Sequence, residues 1–389
     1  MKKRIFSAVL ALVMIFSAFA VNASASDDGV LRFDENGEFN IMHICDCQDD
    51  YPANPEMLIF LDAVIKEYRP DLVVLGGDNT VADKNMENGI RELVEVFVEN
   101  ETYFTLVFGN HDHQQDLTDD EQLIVYKKYG GKYCLAYDPH PELTGTATHA
   151  LPVLGSKSLK TELMLYMFDS NQYVSVNGIN DEYDCVNPDQ IEWYKNVSKA
   201  AETANGKVVP ALVFQHIIVG DVYDALFHET SIDMGALSRN FNGKTYSFLP
   251  RTENLEEGFL FEFPCPGYYN YGQFDAMVER GDVMGIFSGH DHTNSFITEL
   301  DGIKIVNTPG ATHGSYSTDF NRGVRMITVN ENNPDTFETE VVTTRQFAID
   351  NSDYAEEVGI SKLGAMIVIA FGEFLITMGK FTGIFSRLF

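Results

Sequence analysis

The sequence predicts an α/β fold in which helices cover β-sheets, and three observations carry that prediction. Apolar runs of strand length alternate with helical patterns from residue 39 onward, the rhythm of sheets flanked by helices. Helix-start signals fall between those runs, with Asn54 ahead of Pro55 and Asn187 ahead of Pro188, a capping amide followed by a residue preset for the first turn. A chain of 389 residues, 44% hydrophobic, can bury one large core or two smaller ones.

The elements follow in order. MKKRIFSAVLALVMIFSAFAVNASASDD joins a basic start to an apolar stretch and the small-residue pattern Ala23-Ser24-Ala25, so residues 1–25 read as a secretory signal peptide outside the fold. FNIMHICD (39–46) is a strand, followed by a helix capped at Asn54 and stopped before Pro70. DLVVLGGD (71–78), a polar helical stretch to about residue 99 and YFTLVFGN (103–110) come next, then ELMLYMFD (162–169), a helix from Pro188 to about Asn205, and VVPALVFQ (208–215). Residues 220–272, rich in Gly, Asn, Glu and aromatics, read as an insertion. VMGIFSG (283–289) is another strand, and ITELDGIKIV (297–306) reads as a hairpin turning at Asp301-Gly302. The tail, 361–389, contains LGAMIVIAFGEFLITMGKFTGIF (363–385), long enough to cross a bilayer although Glu373 would cost about 2.5–3.5 kcal/mol there. A membrane anchor, an in-plane helix and a docked helix are the three readings of it.

Composition narrows the partners. Lys and Arg number 27 against 58 Asp and Glu, a formal charge of -31, which repels nucleic-acid backbones and anionic membrane surfaces. An anionic substrate therefore needs a local positive centre. Five cysteines, with no CxxC pair, give neither a zinc finger nor a dense disulfide framework, and no pairing follows from them.

Several apolar strands end in polar residues able to bind a metal. Asp46 and Gln48 follow the first run, Asp78 the second, and Asn110, His111 and Asp112 the third. His216 follows VVPALVFQ, and His290 and His292 follow VMGIFSG. Loops at the carboxyl ends of strands are where open α/β sheets place ligands. In FSGHDHTN, two histidines at i and i+2 of an extended chain point the same way, while Asp291 turns aside. Asp46, Gln48, Asp78, Asn110, His216, His290 and His292 are too many groups for one tetrahedral zinc, but suit two five- or six-coordinate ions sharing a bridge. Such ions, about 3.5–4 Å apart, clamp a phosphoryl group and turn a water into a nucleophile near neutral pH. They bring +4 against the -2 of Asp46 and Asp78, a positive centre inside an acidic protein.

The pattern DCQ (46–48), GGD (76–78), GNHD (109–112), QH (215–216) and GHDH (289–292) resembles the calcineurin-like metallophosphoesterases over roughly residues 38–330. QFDAMVERGDVMGIFSGHDHTNSF and PGATHGSYSTDFNRGVRMI look most similar to the branch related to purple acid phosphatases. The resemblance implies a four-layer α-β-β-α sandwich of two mixed β-sheets flanked by helices, spanning 36–345. It also implies that Asp46, Gln48 and His292 hold one metal, that Asp78 bridges, and that Asn110, His216 and His290 hold the other. His111 would donate a proton or stabilise the transition state, oriented by Asp112. Gln48 stands where most members carry His, and an amide oxygen leans that site toward Mn, Fe or Mg and away from Zn. A D-x-Q variant is also similar to the manganese-dependent ADP-ribose pyrophosphatase branch. Val81 replaces the iron-binding tyrosine of purple acid phosphatases, so no purple chromophore is expected.

The expected activity is exported dinuclear hydrolysis of a small phosphate monoester by a metal-bound hydroxide, using divalent or trivalent ions. Hydrolysis of diesters or pyrophosphates, on nucleotides or envelope phosphoesters, is the alternative within the class. A catalytically weak binding protein on the same fold is the alternative outside it. No nucleic-acid polymer is an expected partner, and membrane contact would run through the tail.

Overall fold

The computed structural model describes residues 29–367, apart from positions 177 and 252. The signal-peptide reading and most of the apolar tail lie outside the described residues; among those described, no helix is long and apolar enough to cross a membrane. Two large mixed sheets form the centre. One has five strands in the spatial order Phe337–Thr343, Gly323–Asn330, Glu38–Ile44, Leu72–Gly76, Phe104–Val107. The other has seven, in the order Leu255–Glu257, Ile297–Leu300, Ile303–Asn307, Val283–Ser288, Ala211–Phe214, Thr161–Met167, His149–Leu154.

Strand periodicity makes these sheets into the expected four layers. Successive side chains point to opposite faces, so Phe39, Ile41, Leu72 and Val74 meet Leu163, Leu165, Leu212, Phe214 and Phe287 in a core between the sheets. Their neighbours Met42, Ile44, Val73 and Leu75 face outward onto the helices Pro55–Tyr68 and Met86–Glu99. Across the molecule, Met164, Tyr166, Ala211, Val213 and Ile286 pack beneath Pro188–Asn205 and Gln273–Arg280. Because both faces of each central strand are covered, these strands read in the sequence as unbroken apolar runs.

The local signals act where the sequence places them. Asn54 Oδ1 accepts from Glu56 N at 2.9 Å, and Arg69 ends the helix in the left-handed conformation (φ 47°) just before Pro70. Asn187 N donates to Gln190 Oε1 at 2.7 Å at the head of Pro188–Asn205. Asp301 and Gly302 both have positive φ (48° and 84°) in the hairpin turn, as a two-residue turn matching strand twist requires. All five cysteines are free.

Residues 220–272 form the short helix Val222–Leu226, a three-stranded sheet of Phe227–Glu229, Ser238–Phe241 and Lys244–Pro250, and the edge strand Leu255–Glu257 of the seven-stranded sheet. Their last part is bonded to the GHDHTN loop: Phe261 N donates to Asn294 Oδ1 (2.9 Å) and Cys265 N to Asp291 Oδ1 (3.2 Å). A separate hairpin, Tyr173–Val176 with Ile179–Tyr183, stands over the same end of the sheets.

Candidate dinuclear metal centre

Strands Glu38–Ile44, Leu72–Gly76 and Phe104–Val107 run parallel, as do Ala211–Phe214 and Val283–Ser288 in the other sheet. Parallel strands deliver their carboxyl ends to one edge, and there the polar residues following each run meet. The chain must bend sharply to aim them inward. Asp46, Gln48, Asp78 and His290 all take left-handed backbone conformations (φ 52°, 37°, 51° and 70°), a strain of roughly 1–2 kcal/mol per non-glycine residue that clusters at functional sites. Asp46 N donates to Gly77 O and Gln48 N to Asp78 O, both at 3.0 Å, locking the first two loops together. A Cβ on Gly109 would lie 2.3 Å from Asp78 Oδ1 and one on Gly77 2.6 Å from His216 Nδ1, so only glycine lets these loops close on the site.

The side chains form two triads sharing one carboxylate: Asp78 with His216 and His290, and Asp78 with Asp46 and His292, each group within 4.8 Å and buried. His216 Nε2 lies 3.2 Å from Asp78 Oδ2 and 3.8 Å from Asp46 Oδ1; His292 Nε2 lies 3.4 Å from Asp46 Oδ1. The opposite ring nitrogens are spoken for: His216 Nδ1 donates to Gly76 O (3.0 Å) and His292 Nδ1 to Tyr316 O (2.7 Å). That fixes each ring so that Nε2 faces the carboxylates, the arrangement of metal-binding histidines. Tyr316 also stacks flat on His292 (4.1 Å, 5°), and Tyr183 meets His290 edge-on at 4.4 Å.

The buried carboxylates and imidazoles of the two triads shift one another. Burial opposes a charge on His216, yet Asp78 and then Asp46 hold its imidazole up at about 10; burial likewise opposes His292, and Asp46 holds it up at about 9. Burial pushes Asp78 up, but His216 outweighs it and keeps the carboxyl below its ordinary range. Burial, and then the neighbouring His216, drive His290 down to about 3, so its ring is neutral and available as a ligand. Asn110 Oδ1 is buried without a hydrogen-bond partner, a cost a native site accepts when something else satisfies it. Oxygen, amide and imidazole donors of this kind, sharing one carboxylate, fit two divalent ions.

Gln48 and Asn110 join the cluster differently. Gln48 Nε2 donates to Asp78 Oδ2 at 2.7 Å, so its amide reaches the centre nitrogen first and would have to turn over to offer oxygen to an ion. Asn110, completely buried, turns Nδ2 to Tyr173 Oη (3.1 Å) and leaves Oδ1 unpaired.

His111 sits on the same loop, its backbone N donating to Asp78 Oδ1 at 2.7 Å. The expectation that Asp112 orients it is corrected here. The Asp112 carboxylate is used up on backbone amides, accepting from Gly109 N (2.8 Å) and Asn79 N (3.0 Å), so it shapes the turn. The partner of the His111 ring is Gln114 Oε1, 2.9 Å from Nδ1. Cys45, Cys47 and His43 stand apart from the two triads. Cys45 and Cys47 are core residues whose thiols burial pushes up. His43 is buried, bonded to Thr308 Oγ1 (2.8 Å) and driven down to about 3 by desolvation.

Sequence reasoning missed Tyr173 and Tyr183, from the two strands of the hairpin, Gln114, from the turn after GNHD, and the part played by Tyr316. It also missed what His113 does. Its imidazole bridges two buried carboxylates, contacting Asp119 closely and lying 3.8 Å from Asp169. Burial opposes the charge, but Asp119 and Asp169 raise His113 to about 10. Asp119, crowded by burial and by Asp169, is itself pushed above its usual range, as expected when two carboxylates share one cation. A histidine raised from about 6.5 contributes stability that is complete below that value and is lost as pH climbs through about 10. His113→Gln should therefore lose about 3–5 kcal/mol of unfolding free energy at pH 6 and progressively less toward pH 10, measured by urea unfolding. A loss independent of pH would mean that His113 acts by packing alone.

Two opposed sheets with carboxylates, amides and imidazoles converging at one edge define a metal-dependent phosphoesterase architecture. The family model described as calcineurin-like phosphoesterase matches residues 39–294, and the chain belongs to that family. It is similar to an Arabidopsis thaliana protein named probable inactive purple acid phosphatase 14, at 27% identity over 84% of each chain. It is also similar to phosphatase DCR2 of Saccharomyces cerevisiae, at 24% identity over 71% of this chain and 48% of that one. Among solved structures, a dimetal phosphatase from Danio rerio aligns with 79% of this chain and 99% of its own at 12% identity, with a TM-score of 0.45.

Proposed function

We propose that the protein hydrolyses phosphate monoesters using two metal ions held by Asp46, Gln48, Asp78, Asn110, His216, His290 and His292. The observation that carries this reading is the pair of buried triads sharing Asp78. When bound, the ions supply Lewis acidity toward a phosphoryl oxygen and an activated water. The chain's own groups do the remaining work. Asp46 and Asp78 set the charge and spacing of the pair. His216 and His292, fixed through Nδ1, hold their Nε2 atoms inward. His111, half-exposed at the rim, meets the leaving-group oxygen with a proton. Mn or Fe suits the amide-containing site best, with Mg or Zn as other candidates. The basic-apolar start supports export, and the small substrate arrives from solution; contact with a membrane would come through the tail.

A catalytically weak binding protein is the second reading, favoured by the Gln48 amide nitrogen on Asp78 and by the word inactive in the name of the Arabidopsis relative. Chelated protein reloaded with Mn2+, Mg2+ or Zn2+ and assayed on p-nitrophenyl phosphate and bis-p-nitrophenyl phosphate separates the readings. Metal-restored turnover with the monoester ahead is expected. A diester preference moves the assignment to phosphodiesters, and two bound ions without turnover on either leaves the binding role.

A further inference from the structure

Three side chains around Asn110 and His111 belong to no role described so far. Tyr173 opens the hairpin strand Tyr173–Val176, and its ring stacks on Tyr183 (5.5 Å, 27°), which in turn meets His290. Its hydroxyl oxygen accepts from two amides, Asn110 Nδ2 and Gln114 Nε2, each at 3.1 Å. Gln114 turns its other end, Oε1, to His111 Nδ1 at 2.9 Å. The loop is held from the backbone side as well, since Gln115 Nε2 donates to His111 O at 2.8 Å.

We propose that Tyr173 and Gln114 are positioning residues of this centre: Tyr173 sets which atom of the Asn110 amide faces the metals, and Gln114 sets which nitrogen of His111 faces the substrate. The inference rests on the dinuclear phosphoesterase reading and extends it to residues outside the ligand set. An amide nitrogen donates and cannot ligate a cation, whereas its oxygen can. With Asn110 Nδ2 committed to the tyrosine oxygen, Oδ1 is directed into the cluster, where it is buried and unpartnered. An amide oxygen only accepts, so Gln114 Oε1 opposite Nδ1 requires a proton on Nδ1. The neutral imidazole then carries its lone pair on Nε2, the nitrogen left for the leaving group. The second hydrogen bond of Gln114, from Nε2 to Tyr173 Oη at 3.1 Å, anchors the amide beside the ring. One phenol thus orients a ligand and, through one glutamine, a proton donor. A neutral amide takes the place at the His111 ring that Asp112 leaves by binding the turn.

The test reads metal affinity and ring tautomer directly, so that it does not depend on turnover. In the Zn2+-loaded full chain with 15N-labelled histidine, long-range proton-nitrogen spectra should show the neutral His111 ring protonated on Nδ1, and Gln114→Leu should turn it into a mixture or into the Nε2-protonated form. Tyr173→Phe should weaken one of two Zn2+ binding steps in calorimetry by about 10- to 100-fold, the cost of losing a group that orients a ligand, and leave the other unchanged. Gln114→Glu, which keeps an acceptor beside Nδ1, should restore the tautomer that Gln114→Leu loses. An Nε2-protonated His111 in the unmodified chain, or a tautomer indifferent to Gln114→Leu, overturns the Gln114 assignment. Two unchanged Zn2+ affinities in Tyr173→Phe overturn that of Tyr173. If both readouts move as expected and no phosphoester is turned over, the hydrolase reading fails and the positioning roles stand.

Discussion

Asp78→Asn is expected to abolish tight binding of both ions and to lower phosphoester turnover by at least about 100-fold, since even residues that only orient metal ligands cost 10- to 100-fold when removed. Asp78 is the one group common to both triads, so its charge serves two sites at once. The substitution is close to isosteric; His216, whose Nε2 lies 3.2 Å from Asp78 Oδ2, loses the carboxylate that favours its charge, and the remaining bonds can be kept. The introduced amide would still accept from His111 N through its oxygen, as Asp78 does at 2.7 Å. On the other side a new NH2 group would face Gln48 Nε2, which donates to Asp78 Oδ2 at 2.7 Å, and Gln48 relieves that clash by turning its amide over. Folding should therefore survive, and the loss should appear as metal stoichiometry by elemental analysis and as a vanished thermal shift. In the unmodified chain, each ion at about 100 times its dissociation constant adds about 2.7 kcal/mol to unfolding; the variant should show no such gain. Two ions retained at full affinity would take Asp78 out of the metal-holding set.

The difference between Asp78 and Tyr173 shows what a sequence can disclose. Asp46, Asp78, Asn110, His216, His290 and His292 each follow an apolar run directly, and a parallel strand buried on both faces announces itself by composition. Once the strands are seen, their carboxyl ends share an edge by topology, and the ligands come with them. Tyr173 and Gln114 touch across 59 positions of chain from a polar hairpin and a surface loop, where nothing in the local pattern marks either. Strand Gly323–Asn330 escaped for a different reason. Arg325 interrupts its apolar run, and only the fold shows that this guanidinium is 1% exposed and capped by Ser295 O and Asn307 O at 2.9 and 3.0 Å. The Asp112 role failed through competition. A carboxylate next to a histidine can orient it, but the GNHD turn leaves Gly109 and Asn79 amides nearer, and backbone donors inside a buried turn must be satisfied first.

His111→Asn should separate catalysis from metal binding. The His111 side chain is half-exposed, and the bond that ties this residue to the centre comes from its backbone N to Asp78 Oδ1, so exchanging the ring leaves that bond in place. Both ions should remain, and stability should change by no more than about 0.5 kcal/mol, as for other substitutions away from the core. What disappears is a proton donor at the leaving-group oxygen, a contribution of about 100- to 10,000-fold. The loss in kcat should be greatest for alkyl phosphates, whose alkoxide is a poor leaving group, and smallest for p-nitrophenyl phosphate, whose phenolate departs with little help. Parallel assays on the two substrates therefore read the role of the ring. Equal losses on both would assign His111 to stabilising charge on the phosphoryl oxygens, and full activity on both would take it out of the reaction.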